Sequence, residues 1–450
     1  MAASDPLSAR ATVGRYEPIR RLAVGGMAEI FLARVPGVGL EGFEKLVVLK
    51  RILPQHALDP ELLRMFVDEA RLSATLTSPH VTQVYDVGTD GDAPFFAMEY
   101  VHGANLRELL RARSSEAGDA PAPLPLGPAL AIVAAAADGL HHAHERLGPG
   151  GEPLRIVHRD VSPSNVLVSF DGAVKVSDFG IAKWAYQRTR TQEGTLKGKF
   201  AYMSPEQCRG RPVDRRSDIF ALGTILYELT TGTAPFAAET DLEILNRIAQ
   251  GRVPPPTWPA ALGAYPPALA AIVMRALAPE PDGRFATMRE LQVALEGFAR
   301  EAGVALSTVN LAGLMQELFA SELAAWHEAQ RAGKTLGDHL ATRAPPAAAR
   351  AERTATDAFA TRAAPRPSGA PGRRPLVLAA VAAMFAVTGA LAMRHARRSP
   401  ERRLPVAARP AGKPPAVPLD VMHAAPAAPA PLAASTPAPP RAPTAARRRA

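Results

Sequence analysis

The chain has 450 residues, 47% of them hydrophobic and 6% aromatic, with one cysteine and a formal net charge of +9. That length exceeds one typical domain, the low aromatic content leaves a core of Leu, Val, Ile and Ala, and one cysteine excludes an intrachain disulfide framework and suits a reducing compartment. The charge is local: residues 394–450 hold eleven Lys/Arg against two Asp/Glu, so residues 1–393 sum to zero and nucleic-acid binding is not expected.

Met1 to Arg15 is polar, lacks the apolar core of an export signal, and reads as an N-terminal arm over 1–15. Residues 16–34 read as two strands around a glycine-bearing turn, Leu22-Ala23-Val24-Gly25-Gly26-Met27-Ala28-Glu29-Ile30, and Pro36–Glu44 as a Gly-rich turn. Val47-Val48-Leu49-Lys50 reads as a buried strand ending in a lysine, in a chain with eight lysines against forty-four arginines. Phe66-Val67-Asp68-Glu69-Ala70-Arg71 lies on a helical pattern. Residues 113–127 read as a Pro-rich loop, and 128–145 as a helix rich in Ala and Leu.

His158-Arg159-Asp160, then Asn165, then Asp178-Phe179-Gly180 carry the chemistry. A carboxylate must meet the proton of an attacking hydroxyl, and an amide and a second carboxylate must hold Mg²⁺ against a triphosphate. Taken singly, each residue has a plainer reading: Lys50 at the surface, Glu69 as an exposed helix carboxylate, Asp160 as a cap, Phe179 as core. Their order and spacing favour the joint reading. Cys208, without a partner, reads as an inert thiol.

Leu311, Leu314, Met315, Leu318, Phe319 and Leu323 recur at helical spacing within 299–342, a helical extension expected to dock on the preceding domain. Residues 343–374 are an Ala/Pro/Arg-rich linker. Leu376–Met393 is eighteen residues without a charge, seven of them alanine, against about twenty normally needed to span a bilayer. A single transmembrane helix over 376–393 is preferred to a buried helix, because Pro-rich flanks leave no domain to bury it. The tail, 394–450, has thirteen prolines and is expected to be disordered; its charge suits acidic polymers or lipid, with a solvated tail as the plain reading.

Residues 16–298 resemble a eukaryotic-like (Hanks-type) bacterial serine/threonine protein kinase domain. The motifs that carry the resemblance are those above, together with Ser204-Pro205-Glu206, Asp218 and Arg284 before Phe285. It implies an α+β, bilobal fold with a small β-rich N-lobe and a larger helical C-lobe. It implies ATP and Mg²⁺ as cofactors and protein substrates carrying Ser or Thr. Asp160 would take the substrate proton, Asn165 and Asp178 would hold Mg²⁺, and Lys50, held by Glu69, would grip the phosphates. Leu22 to Ile30 would cover the nucleotide, Val48 roof the adenine, Met98 be the gatekeeper, and Glu99-Tyr100-Val101 the hinge, with Leu167 also among the nucleotide-binding residues. Asp218 would brace the catalytic loop and Arg284 pair with Glu206. Thr189, Thr191 and Thr195 are candidate phosphoacceptors, with Arg159 as reader.

Several positions depart from the family pattern. Ala23 and Ala28 stand for two glycines of the phosphate loop, where positive φ would be available to glycine, and Val48 for a smaller alanine. Ser162 stands where the family has a lysine, and Lys199 where it has a threonine. A cation and a hydroxyl would then have exchanged places, with Lys199 counted among the catalytic residues; the alternative is a solvent-facing Lys199. The rival readings are a pseudokinase scaffold binding nucleotide or partners without turnover, and a small-molecule phosphotransferase, which would lack the Glu206, Asp218 and Arg284 set. The positive-inside rule favours a cytoplasmic tail, while the need for ATP favours a cytoplasmic kinase domain under a single-pass membrane anchor; the ATP argument is preferred, with a cytoplasmic protein as the alternative. Dimerisation is left open.

Overall fold

Strands β1 (Glu17–Val24), β2 (Ala28–Pro36), β3 (Glu44–Ile52), β4 (Val84–Asp90) and β5 (Ala93–Glu99) form one antiparallel sheet in the order β1-β2-β3-β5-β4. The computed structural model describes residues 12–36, 44–91, 93–117, 121–180 and 200–342. Strand alternation sorts β3 into two faces. Val47 and Leu49 pack with Tyr16, Phe31 and Phe95 on one side, while Val48 and Ile52 face helix α1 (Pro60–Ala74) on the other. Asp59 starts α1 by accepting from the backbone of Glu61 at 2.9 Å, with Pro60 in the first turn, a cap contributing about 1 kcal/mol. Leu62, Met65, Phe66, Glu69, Ala70 and Ser73 make its buried stripe, so Glu69 enters the interior because of its place on the helix.

The chain crosses to the second lobe through Tyr100–His102. There β6 (Gly103–Asn105), β7 (Val166–Ser169) and β8 (Val174–Val176) form a small antiparallel sheet. Gly103 is needed by close approach, since a Cβ on it would lie 2.0 Å from the carbonyl oxygen of Val168. Helices α2 (Leu106–Ala117), α3 (Leu126–His144), α4 (Pro205–Cys208), α5 (Arg215–Thr231), α6 (Asp241–Gln250), α7 (Pro267–Ala276) and α8 (Met288–Glu301) follow. The apolar helices α3 and α5 pack on each other at the centre, with α8 against α3.

Three sequence expectations need correction. The N-terminal arm does not run to residue 15: Val13 is buried with Tyr16, whose hydroxyl donates to Asp86 at 2.9 Å. The Pro-rich loop is shorter than 113–127. Helix α2 continues to Ala117, where Ser115 donates to the carbonyl of Arg111 and Arg113 pairs with Glu116, and α3 already begins at Leu126. The boundary at 298 falls inside α8.

Helices α9 (Thr308–Leu318), α10 (Ala320–Arg331) and α11 (Leu336–Thr342) form the extension. Leu311, Leu314, Met315 and Phe319 are buried in the C-lobe core, so α9 docks, on α2, α3 and β7. Helix α11 goes further and rests on β1 of the N-lobe. The turn over 37–43, Lys199 with Thr189, Thr191 and Thr195, the linker, the run 376–393 and the tail lie outside the described residues. Among the described residues no helix is long and apolar enough to cross a membrane.

Candidate active site

Lys50 lies on the face of β3 that looks toward α1, and that face decides its partners. Its ammonium meets the Glu69 carboxylate and, at 3.0 Å, Oδ1 of Asp178. All three are shielded, Lys50 and Glu69 almost fully. Burial pulls the lysine pKa down, but Asp178 and Glu69 outweigh it and hold it above its ordinary value. The result is a cation fixed in a poorly solvated cleft, suited to a polyphosphate.

The segment that carries Asp160 and Asn165 converges on the same cleft. Asn165 donates through Nδ2 to the Asp160 carbonyl at 2.7 Å and to its Oδ2 at 3.0 Å. That leaves the Asn165 amide oxygen as the hard donor toward a cation, with Asp178 the carboxylate. An amide oxygen, a carboxylate and substrate phosphates match the way Mg²⁺ is usually held, through few protein ligands. Among the described residues no cluster of three His, Cys, Asp or Glu offers a dedicated cage. The residues therefore fit Mg²⁺ bound together with nucleotide.

Backbone strain is stored here. Arg159 has φ 66° and Asp178 φ 56°, left-handed values that cost a non-glycine residue about 1 kcal/mol or more. Asp218 holds the first in place: its two oxygens accept from the backbone of His158 and Arg159, each at 2.8 Å, and Oδ2 also meets Nε2 of His144 at 2.8 Å. Burial pushes the Asp218 pKa up, but the bonds from His144 and His158 outweigh it and hold the carboxyl below its usual range. Glu206 and Arg284 form a buried fork, with both contacts at 2.8 Å, below the loop. His144 and Gln207 were not singled out in the sequence. Gln207 donates to the Arg159 carbonyl at 2.9 Å, and its reciprocal bonding with Ser204, a capping box, was readable in the sequence.

The residues expected to face a nucleotide divide by strand register. Ile30 pairs with Lys50, and Val48 lies opposite Met98, so these line one face with Leu32. Ala23 pairs with Ile30, next to a register shift at Leu22. Glu29 is corrected: it pairs with Arg51, which donates to it at 3.0 Å, so its carboxylate lies on the opposite face from Lys50. Val24 is opposite Glu29, and Met27 is buried in the cluster between sheet and α1. Gly25 donates to the Ala28 carbonyl at 2.8 Å, and neither Gly25 nor Gly26 has positive φ, so this conformation does not use the freedom expected of glycine there. Glu99 pairs with Lys175 at 2.9 Å, Val101 is half-buried in the crossing segment, and Leu167 is half-buried on β7. Behind Met98 a recess is lined by Glu69, Val84, Phe96, Asp178 and Phe179.

Ser162 is 2% exposed, and its hydroxyl has no hydrogen-bond partner among the described residues. Burial pushes the Cys208 thiol up to about 12, in keeping with an inert thiol.

The family model for the protein kinase domain matches residues 19–292. Tyrosine-protein kinase MasK of Myxococcus xanthus is 44% identical over 288 residues, covering 64% of this chain and 43% of MasK. Serine/threonine-protein kinase PknB of Mycobacterium leprae is 36% identical, covering 62% and 42%. Serine/threonine-protein kinase PrkC of Bacillus subtilis is 33% identical, covering 62% and 40%. The chain thus spans about four-tenths of the length of these curated relatives.

Proposed function

The chain belongs to the protein kinase family, and on that premise we propose that it is an active, ATP-dependent kinase acting on Ser and Thr hydroxyls of proteins, itself included. The observation that carries this reading is the Lys50–Glu69–Asp178 contact facing the Asp160–Asn165 pair. Lys50 grips the α- and β-phosphates, and Asp160 orients the acceptor hydroxyl and takes its proton. The new P–O bond forms to that oxygen as the γ-phosphorus bond to the ADP oxygen breaks. Asn165 and Asp178 would hold Mg²⁺, whose charge offsets that of the phosphate oxygens. Positioning and electrostatics supply the rate.

Labelled Mg-ATP with the purified chain tests it. Asp160→Asn and Lys50→Met should each abolish transfer without loss of fold. Wild-type turnover in Asp160→Asn would remove the assigned base. A wild-type chain that binds nucleotide but never transfers phosphate would instead be a pseudokinase scaffold, the reading favoured by the altered phosphate loop.

A second reading concerns the acceptor. A 44%-identical relative is named a tyrosine kinase, and Ser162 stands two residues after Asp160, where the Ser/Thr kinase pattern has a lysine. Phosphoamino-acid analysis of the labelled product decides between them. We also read 376–393 as a single span with the kinase domain in the cytoplasm. Full-length protein should sediment with membranes, and deleting the run should release it; a detergent-free soluble chain rejects the span.

A further inference from the structure

The lobes are joined twice. The first joint is the crossing at Tyr100–His102. The second is the extension, which leaves the C-lobe at α9 and returns to the N-lobe at α11.

The two ends of this return differ in chemistry. At the C-lobe, Leu311, Leu314, Met315 and Phe319 are buried, an apolar anchor. At the N-lobe polar, partly exposed contacts hold α11: the Gly337 N–H donates to Glu44 at 3.0 Å, and Arg34 meets Asp338 at 3.2 Å; Leu340 of the same helix is buried. Between the ends runs an aromatic chain. Phe319 packs on Phe170 at 5.8 Å, Phe170 meets His102 edge-on at 5.0 Å, and His102 meets Trp326 edge-on at 6.3 Å. Trp326 then contacts His339 of α11 at 5.6 Å. The hinge residue His102 is thus held between the C-lobe and the extension. Its carbonyl also accepts from the Phe170 backbone at 3.0 Å.

We propose that residues 320–342 are a strap across the hinge, anchored in the C-lobe and latched on the N-lobe, that limits lobe opening and slows nucleotide release. Trp326 is its positioning residue on the hinge, and Arg34 with Asp338 its latch. A hinge opens by changing φ and ψ at a few connecting residues, and a second connection clamped to one of them resists that change. Partly exposed ion pairs contribute little each, so the latch end releases before the buried anchor. The inference rests on the kinase reading only for the identity of the nucleotide.

The test uses the full chain, with stopped-flow release of a fluorescent ADP analogue in Mg²⁺, and hydrogen exchange of residues 99–105 in nucleotide-free protein. Trp326→Ala should speed release roughly three- to tenfold, the worth of one aromatic contact, and Asp338→Arg roughly two- to fivefold, the worth of one exposed ion pair, and both should raise exchange at the hinge. Trp326→Phe keeps an edge contact and should release at the wild-type rate, which also controls for folding. Arg34 is also held by Glu17 at 2.9 Å and meets Glu44 at 3.7 Å, so the latch is tested from α11 alone: Asp338→Glu, which keeps the charge, should release at the wild-type rate, which a merely destabilising change would not. Unchanged release and unchanged hinge exchange in both single variants overturn the strap. If the wild-type chain binds no nucleotide, the kinase reading fails, and hinge exchange alone decides the strap: unaltered exchange in Trp326→Ala and Asp338→Arg rejects it.

Discussion

Gly180 approaches Asp160 so closely that a Cβ built on it would sit 2.8 Å from the Cβ of Asp160 and 3.2 Å from the His158 carbonyl oxygen. The same backbone is tied there, with the Gly180 N–H donating to that carbonyl at 3.0 Å. The proton-handling and metal-handling segments therefore share one contact that tolerates no side chain. Gly180→Ala should lower kcat about tenfold or more, since a small misplacement of a reacting group is costly. Its melting temperature should stay within a few degrees of wild type. An unchanged kcat would mean that the contact yields freely.

Arg284 and Glu206 offer a stability test. Removing the arginine as Arg284→Met leaves a buried carboxylate without its partner, and should cost about 3–5 kcal/mol in denaturant unfolding. Burial pushes the Glu206 pKa up, but the bonds from Arg284 and Ser217 bring it below its ordinary 4.5, and Asp218 likewise lies below 3.8. Both are ionised more readily in the folded state. Their stabilisation is therefore complete above those ordinary values and is lost as pH falls through the lower folded ones. Thermal melts should show stability falling on acidification below about pH 4.5, with a shallower fall in Glu206→Gln. A slope identical to wild type would place the acid sensitivity elsewhere.

Autophosphorylation is expected on at least one of Thr189, Thr191 and Thr195, with the phosphate read by Arg159. Mass spectrometry after incubation with Mg-ATP should find it, and replacing all three threonines by alanine should lower activity. Full activity in the triple variant would show that the segment orders without phosphate.

Ser162, buried and without a hydrogen-bond partner among the described residues, stands where the family has a lysine and motivates the exchange of cation and hydroxyl with Lys199. If Lys199 supplies the charge, Lys199→Thr should cost about a hundredfold in kcat, as loss of a comparable electrostatic contact does. Ser162→Lys should also impair turnover, and the double variant should recover much of the loss, a non-additivity expected of residues sharing one site. A silent Lys199→Thr, or simple addition of the two effects, makes Lys199 a surface residue.

The candidate reacting groups were legible because chemistry restricts their type and spacing. Asp160, Asn165 and Asp178 follow one another at intervals that a loop and a short hairpin can bridge in one way, and Glu69 falls on the apolar stripe of α1. The facing of Glu29 was not legible. It depends on the pairing of β2 with β3, and a slip of one residue would turn every side chain to the other face.

What the sequence by itself determined is the order and spacing of the candidate catalytic set, the bilobal kinase fold and a helical extension with a docking face. Those properties live in residue identity and in short periodicities. Tertiary structure alone decided that Val13 belongs to the N-lobe, that Asp218 holds Arg159 in a strained conformation, and that α11 comes back to Arg34 and Glu44. Each of these joins residues tens to hundreds of positions apart, 304 in the case of Arg34 and Asp338. No local pattern encodes such a pairing, because it follows from how whole elements pack.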